Sequence, residues 1–158
     1  MDNKGRLNFE VLIVFVVACL FTVGLYATLA HAQALSSCVQ TLTQDSAHCY
    51  TLKMVLTADT SGAFTETDTQ YAINGIVTDV AHSQGATAPT ASSTITIKYK
   101  GVDIMESGLA SLASTVGVKT PLISSNPVDR QIDGKLAVDW TGNSVANAIK
   151  TLFIHFLR

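Results

Sequence analysis

The sequence predicts a mainly β protein: a β-sandwich or jelly-roll-like domain of about seven to eight short antiparallel strands, preceded by one long hydrophobic N-terminal α-helix. Three observations carry this expectation. An uncharged run of 22 residues, Val11 to Ala32, comes first. Beyond it Thr and Val are frequent and long charged side chains are few, a composition that suits strands. Short alternations of apolar and polar residues are then separated by turn residues. The expected organisation is a hydrophobic helix over residues 1–34, a linker over 35–48 and a β-domain over 49–158.

A helix rises about 1.5 Å per residue, so the run from Val11 to Ala32 is long enough to cross a hydrocarbon layer of about 30 Å. It admits three readings. As a retained anchor, it follows Lys4 and Arg6 and precedes no cation until Lys53, which places residues 1–10 in the cytoplasm and the β-domain outside. As a secretory signal, it ends on Ala30-His31-Ala32, a small-x-small cleavage pattern. As an assembly leader, it follows Lys4-Gly5-Arg6-Leu7-Asn8-Phe9-Glu10, which resembles the leader of a type IV prepilin. That resemblance implies cleavage after Gly5 and an assembly role for Glu10, which would pair with a neighbour's amino terminus.

The stretch Leu35 to His48 is rich in Ser, Thr and Gln and reads as a neck. Cys38 and Cys49 flank its last ten residues and are disulfide candidates; a bridge closing so short a loop contributes roughly 2–3 kcal/mol in the chain-entropy model. The alternative is two unpaired thiols in a polar linker. Cys19 lies within the apolar run, where a small soft side chain is ordinary.

Cys49 to Thr57 opens the β-domain as a strand, and Asp59-Thr60-Ser61-Gly62 turns it. Phe64 to Tyr71 alternates apolar with polar residues and reads as the hairpin's second strand. Asn74-Gly75 is a tight-turn dipeptide, followed by a strand over Ile76 to Val80. Ser93 to Lys100 is the clearest strand, with Ile95, Ile97 and Tyr99 on one face and Thr94, Thr96 and Lys98 on the other. Ser107 to Val118 is Ser/Ala-rich, with Leu109 and Leu112 as core pins. Gly134 to Trp140 alternates again, with Leu136, Val138 and Trp140 facing a core. Ala148 to Leu157 fits either a helical stripe or a strand apolar on both faces, and the many short strands elsewhere favour the strand.

From Lys53 to Arg158 the order of features resembles a small β-domain that is a minor structural component of tailed phages and prophages. The residues that carry it are Ala58-Asp59-Thr60-Ser61-Gly62 at a hairpin and Gly85-Ala86-Thr87-Ala88-Pro89-Thr90 in a loop. After them come Thr94 to Lys100, then Gly101-Val102-Asp103-Ile104 and Gly108-Leu109. Gly134-Lys135-Leu136 and a terminal strand closing on Leu157-Arg158 complete the order. The resemblance implies a virion structural protein without catalytic residues.

Catalytic and ligand-binding signatures are missing from the sequence itself. His31, His48, His82 and His155 are scattered, without metal-ligand spacing. Asp129, Asp133 and Asp139 lack the tight spacing of a calcium loop and read as solvated turn residues. Asp103 reads as a turn carboxylate, and its pairing with Glu106 brings no nucleophile. There is no nucleophile elbow, phosphate loop or dinucleotide fingerprint. Residues 33–158 carry eight Lys/Arg and ten Asp/Glu, a net of −2, which gives no footprint for nucleic acid.

The expected function is therefore a non-enzymatic structural protein of a bacteriophage virion, a minor tail, tail-tip or capsid-associated component. It would assemble through its β-domain and its N-terminal apolar helix, as a homo-oligomer and with other virion proteins. Residues 11–32 offer membrane contact, and no cofactor or metal is called for. The alternative is a type IV pilin-like subunit of a cell-surface filament, with Glu10 aiding assembly.

Overall fold

A computed structural model describes residues 35–107, 109–110, 117–123 and 126–158, which belong to one compact unit, Leu35–Arg158. In chain order the strands are β1 (Ser37–Gln44), β2 (Cys49–Thr57), β3 (Thr67–Asp68), β4 (Ile73–Gln84), β5 (Thr94–Tyr99) and β6 (Val102–Asp103). They continue with β7 (Gly117–Lys119), β8 (Leu122–Ile123), β9 (Asn126–Pro127), β10 (Arg130–Gly134), β11 (Ala137–Thr141) and β12 (Ile149–Leu157).

All pairings among these strands are antiparallel. The larger sheet runs β1-β2-β12-β4-β10, with β7 also paired to β4. The smaller runs β3-β11-β5-β6, and β8 and β9 form a separate pair. β12, the end of the chain, sits at the centre of the larger sheet between β2 and β4. Its inward row, Lys150, Leu152, Ile154 and Phe156, alternates with a half-buried outward row. Phe156 is opposite Val77 while His155 is opposite Asp79, so Thr78 is an extra residue and β4 carries a bulge there.

Inward side chains of both sheets form one core: Leu52, Met54 and Leu56 of β2, Val77 and Val80 of β4, Ile95 and Ile97 of β5, and Val138 and Trp140 of β11. Each buried aliphatic side chain contributes roughly 1.5–3 kcal/mol. Turns are closed by carboxylates. Asp59 Oδ1 accepts from the backbone N–H groups of Ser61 (2.7 Å) and Ala63 (2.8 Å), and the Ser61 hydroxyl first, then these backbone bonds, hold its carboxyl below the ordinary carboxylate range. Asp103 accepts from the N–H groups of Met105 and Ser107 in the same way.

The fold corrects the expected class. In place of a sandwich of seven to eight strands behind a long N-terminal helix, the described residues form twelve strands in curled antiparallel sheets and contain no α-helix. Several strands are two or three residues long, too short for an alternation to register in sequence. The segment 11–32 and Glu10 lie outside the described residues. No helix among the described residues is long and apolar enough to cross a membrane.

Three local readings change as well. The linker over 35–48 is largely strand β1. Phe64 to Tyr71 yields only the two residues of β3, which pair with β11 rather than with β2. Asn74-Gly75 lies inside β4, where the terminal backbone comes so close that a Cβ at Gly75 would collide with the Leu157 carbonyl oxygen. Close approach, not a turn, is what that glycine permits.

Candidate functional site

β1 is an edge strand. All eight of its residues pair with β2, from Ser37 opposite Thr57 to Gln44 opposite Tyr50. Its other edge pairs with no strand among the described residues. Cys38, Gln40 and Leu42 face inward and are half-buried, whereas Val39, Thr41 and Thr43 face outward and are exposed. Side chains pin the strand to the segment before β4. Gln40 Nε2 donates to the Asp68 carbonyl (3.1 Å), Gln40 Oε1 accepts from the Gln70 N–H (2.8 Å), and Ser36 Oγ accepts from the Thr65 N–H (3.0 Å).

Strands that end a sheet invite further pairing, and proteins blunt them with charge, proline or shortness. The other edges here are blunted. β3 and β6 are two residues long, β7 is three and carries Lys119, and β10 carries Arg130 and Asp133. β1 is eight residues long with no charge and no proline, and Val39 is 64% exposed.

At the end of the β1–β2 hairpin lies a cleft of about 330 Å³ lined by Asp45, Cys49, Tyr50, Thr78, Asp79, His155, Phe156 and Leu157. Thr51 Oγ1 is 2.5 Å from Asp45 Oδ2 and 3.0 Å from His155 Nδ1. An ionised carboxylate only accepts, so the single hydroxyl proton goes to Asp45 and Thr51 receives the Nδ1–H of His155. His155 Nε2 is 3.8 Å from Asp79 Oδ1. A Thr-His-Asp set of this kind invites comparison with nucleophilic catalysis. The hydroxyl proton, however, points at Asp45 and not at the imidazole, so His155 is not placed to withdraw it. The chain of contacts instead ties the hairpin turn to β12 and β4. His155 itself is half-exposed on the outward face of β12.

The core holds two basic side chains. Lys150 is 1% exposed and His82 is 4% exposed, and among the described residues neither Lys150 Nζ nor His82 Nδ1 makes a hydrogen bond. Burial pushes the Lys150 amine below its ordinary value. Burial first, and then the charges of Lys150 and Lys119, lower His82 to about 4. Burial disfavours the charged form of both groups.

The disulfide candidates are far apart. Cys38 is opposite Leu56 on β2, while Cys49 begins β2 and is opposite Leu157. Seven residues of strand separate the two positions, about 23 Å at the strand rise, whereas bridged Cα atoms lie within about 7 Å. Both thiols are free, and burial raises that of Cys38. The correction follows from the neck being half of a hairpin: strands hold apart two residues that a flexible linker would let meet. Among the described residues no cluster of three or more His, Cys, Asp or Glu is placed to hold a metal.

Sequence reasoning did not single out the β1 edge, Asp45, Thr51 or Asp79. The alternation of Cys38, Gln40 and Leu42 with Val39, Thr41 and Thr43 was the available signal for β1, muted because each row mixes apolar and polar residues. Comparison with protein-family models, curated proteins and solved structures finds no match to this chain.

Proposed function

We propose that this chain is a non-enzymatic structural subunit of a phage virion, a minor tail, tail-tip or capsid-associated component, built into its particle through strand addition at β1. The observation that carries the assembly role is the contrast between edges: one long, uncharged and pinned, the others short or charged. Such an edge contributes main-chain hydrogen bonds to an incoming strand at little ordering cost, because its own conformation is already held. The virion assignment draws on the feature order from Lys53 to Arg158. Its partners are then other virion proteins and further copies of itself, with the apolar segment 11–32 as a second point of attachment, to a membrane or to a neighbouring subunit.

Mass spectrometry of purified particles tests this reading. The protein should copurify with virions at a fixed stoichiometry. Its absence from particles of a phage that expresses it would refute the reading.

A further inference from the structure

The edge strand also constrains its partner. We infer that β1 pairs with β1 of a second copy, antiparallel and about a two-fold axis through Thr41. This deepens the assembly reading above and rests on it.

The parity of the strand sets the register. In a two-fold pairing, opposite residues share a face, so inward residues must oppose inward ones and outward residues outward ones. Inward residues of β1 have even numbers and outward ones odd numbers. The centre therefore falls on a residue and not between two. Gln40 and Thr41 are the positions that keep seven residues of the strand in register. Gln40 is already bound to the Asp68 carbonyl and the Gln70 N–H of its own chain. An axis there would set each Gln40 directly opposite its copy, with both side chains already committed within their own chains. Thr41 is outward and exposed. With the axis at Thr41, Val39 lies opposite the partner's Thr43, Gln40 opposite the partner's Leu42, and Cys38 opposite the partner's Gln44.

Two features favour a second copy as the occupant. β1 carries no charge, so self-pairing sets no like charges opposite one another. The chain also offers no second long, uncharged edge among the described strands, so copies meet through the same patch on each and the contact closes as a pair. The larger sheet then continues across the axis, and the exposed side chain of Val39 is covered by the methyl of the partner's Thr43.

Cross-linking of the full chain tests the register. In a background of Cys19→Ser, Cys38→Ser and Cys49→Ser, Thr41→Cys should oxidise mostly to a disulfide-linked dimer. Across an antiparallel pair the Cα separation of about 4.5–5.5 Å suits a disulfide. Thr43→Cys, opposite Val39, should yield less than about a tenth as much. Thr41→Lys in the wild-type background should leave the circular dichroism spectrum unchanged and lower the sedimenting mass below that of the wild type in ultracentrifugation, with like charges opposed at the axis. No cross-link at position 41, or equal cross-linking at 41 and 43, would overturn the inference. If the chain is found in particles but Thr41→Cys does not cross-link, the pairing fails and the virion reading stands. If Thr41→Cys cross-links but the chain is absent from particles, the reverse holds.

Discussion

Lys150 and His82 are diagonal neighbours on the core face of adjacent strands: Leu152 is directly opposite His82, and Lys150 is two residues along β12. Two bases thus share a core with no hydrogen bond to either Lys150 Nζ or His82 Nδ1 among the described residues. The arrangement makes stability rise with pH over two separate ranges.

For His82 the folded value of about 4 lies below the ordinary 6.5. Above pH 6.5 the ring is neutral in both states and costs nothing. As the pH falls from 6.5 to 4 the unfolded chain takes up a proton that the folded one refuses, and stability drops by about 3 kcal/mol. Urea midpoints at pH 7, 5.5 and 4 should fall in that order, and His82→Leu should flatten the decline. A variant with an unchanged slope would rule out His82 as its source.

The lowered value of Lys150 acts in the same sense at higher pH. The unfolded chain holds the amine's proton up to its ordinary range, so stability increases as the pH rises toward 10.5. Lys150→Met fills nearly the same volume without a polar nitrogen. It should stabilise the protein at pH 7 by about 1–3 kcal/mol, read from urea unfolding. A loss of stability would mean that the amine has a partner in solution.

The contact of Thr51 with His155 holds the hairpin turn to β12 and β4. Thr51→Val keeps the shape and removes both hydrogen bonds, leaving the Nδ1–H of His155 without its acceptor. The expected cost is about 1–2 kcal/mol. A double-mutant cycle with His155→Phe should return a coupling energy of at least about 0.5 kcal/mol; additive effects would show that the two side chains do not interact.

Gly75→Ala would drive a methyl group into the Leu157 carbonyl oxygen, a backbone atom unable to move without displacing β12. A loss of about 3 kcal/mol or more is expected. Gly101→Ala is the contrast, since nothing lies near its added Cβ and only the positive φ opposes it. That change should cost about 1 kcal/mol.

Because Cys38 and Cys49 are at opposite ends of the β1–β2 hairpin, reductant should leave the melting temperature of the protein unchanged. Both cysteines should be alkylated after unfolding without prior reduction. A melting temperature that falls in dithiothreitol would show that the two are bridged.

Local residue patterns determined much of the strand content. Ile95 and Ile97 alternating with Thr94, Thr96 and Lys98 give β5, and Val138 and Trp140 give β11, because a pleated strand with one buried face writes its period of two directly into the chain. Asp103 was legible as a turn carboxylate, and Asp59 as part of a turn, for a similar reason: their partners lie two to four residues away. The partners of each strand were not legible. β2 is flanked by β1 and β12, not by the segment that follows it, and pairing over such separations depends on which apolar faces close one core. Only that closure put His155 between Thr51 and Asp79, set Lys150 beside His82, parted Cys38 from Cys49, and left β1 on the rim of the larger sheet. Edges, clefts and buried bases arise from contacts between distant parts of the chain, and the alternation of neighbouring residues carries no record of them.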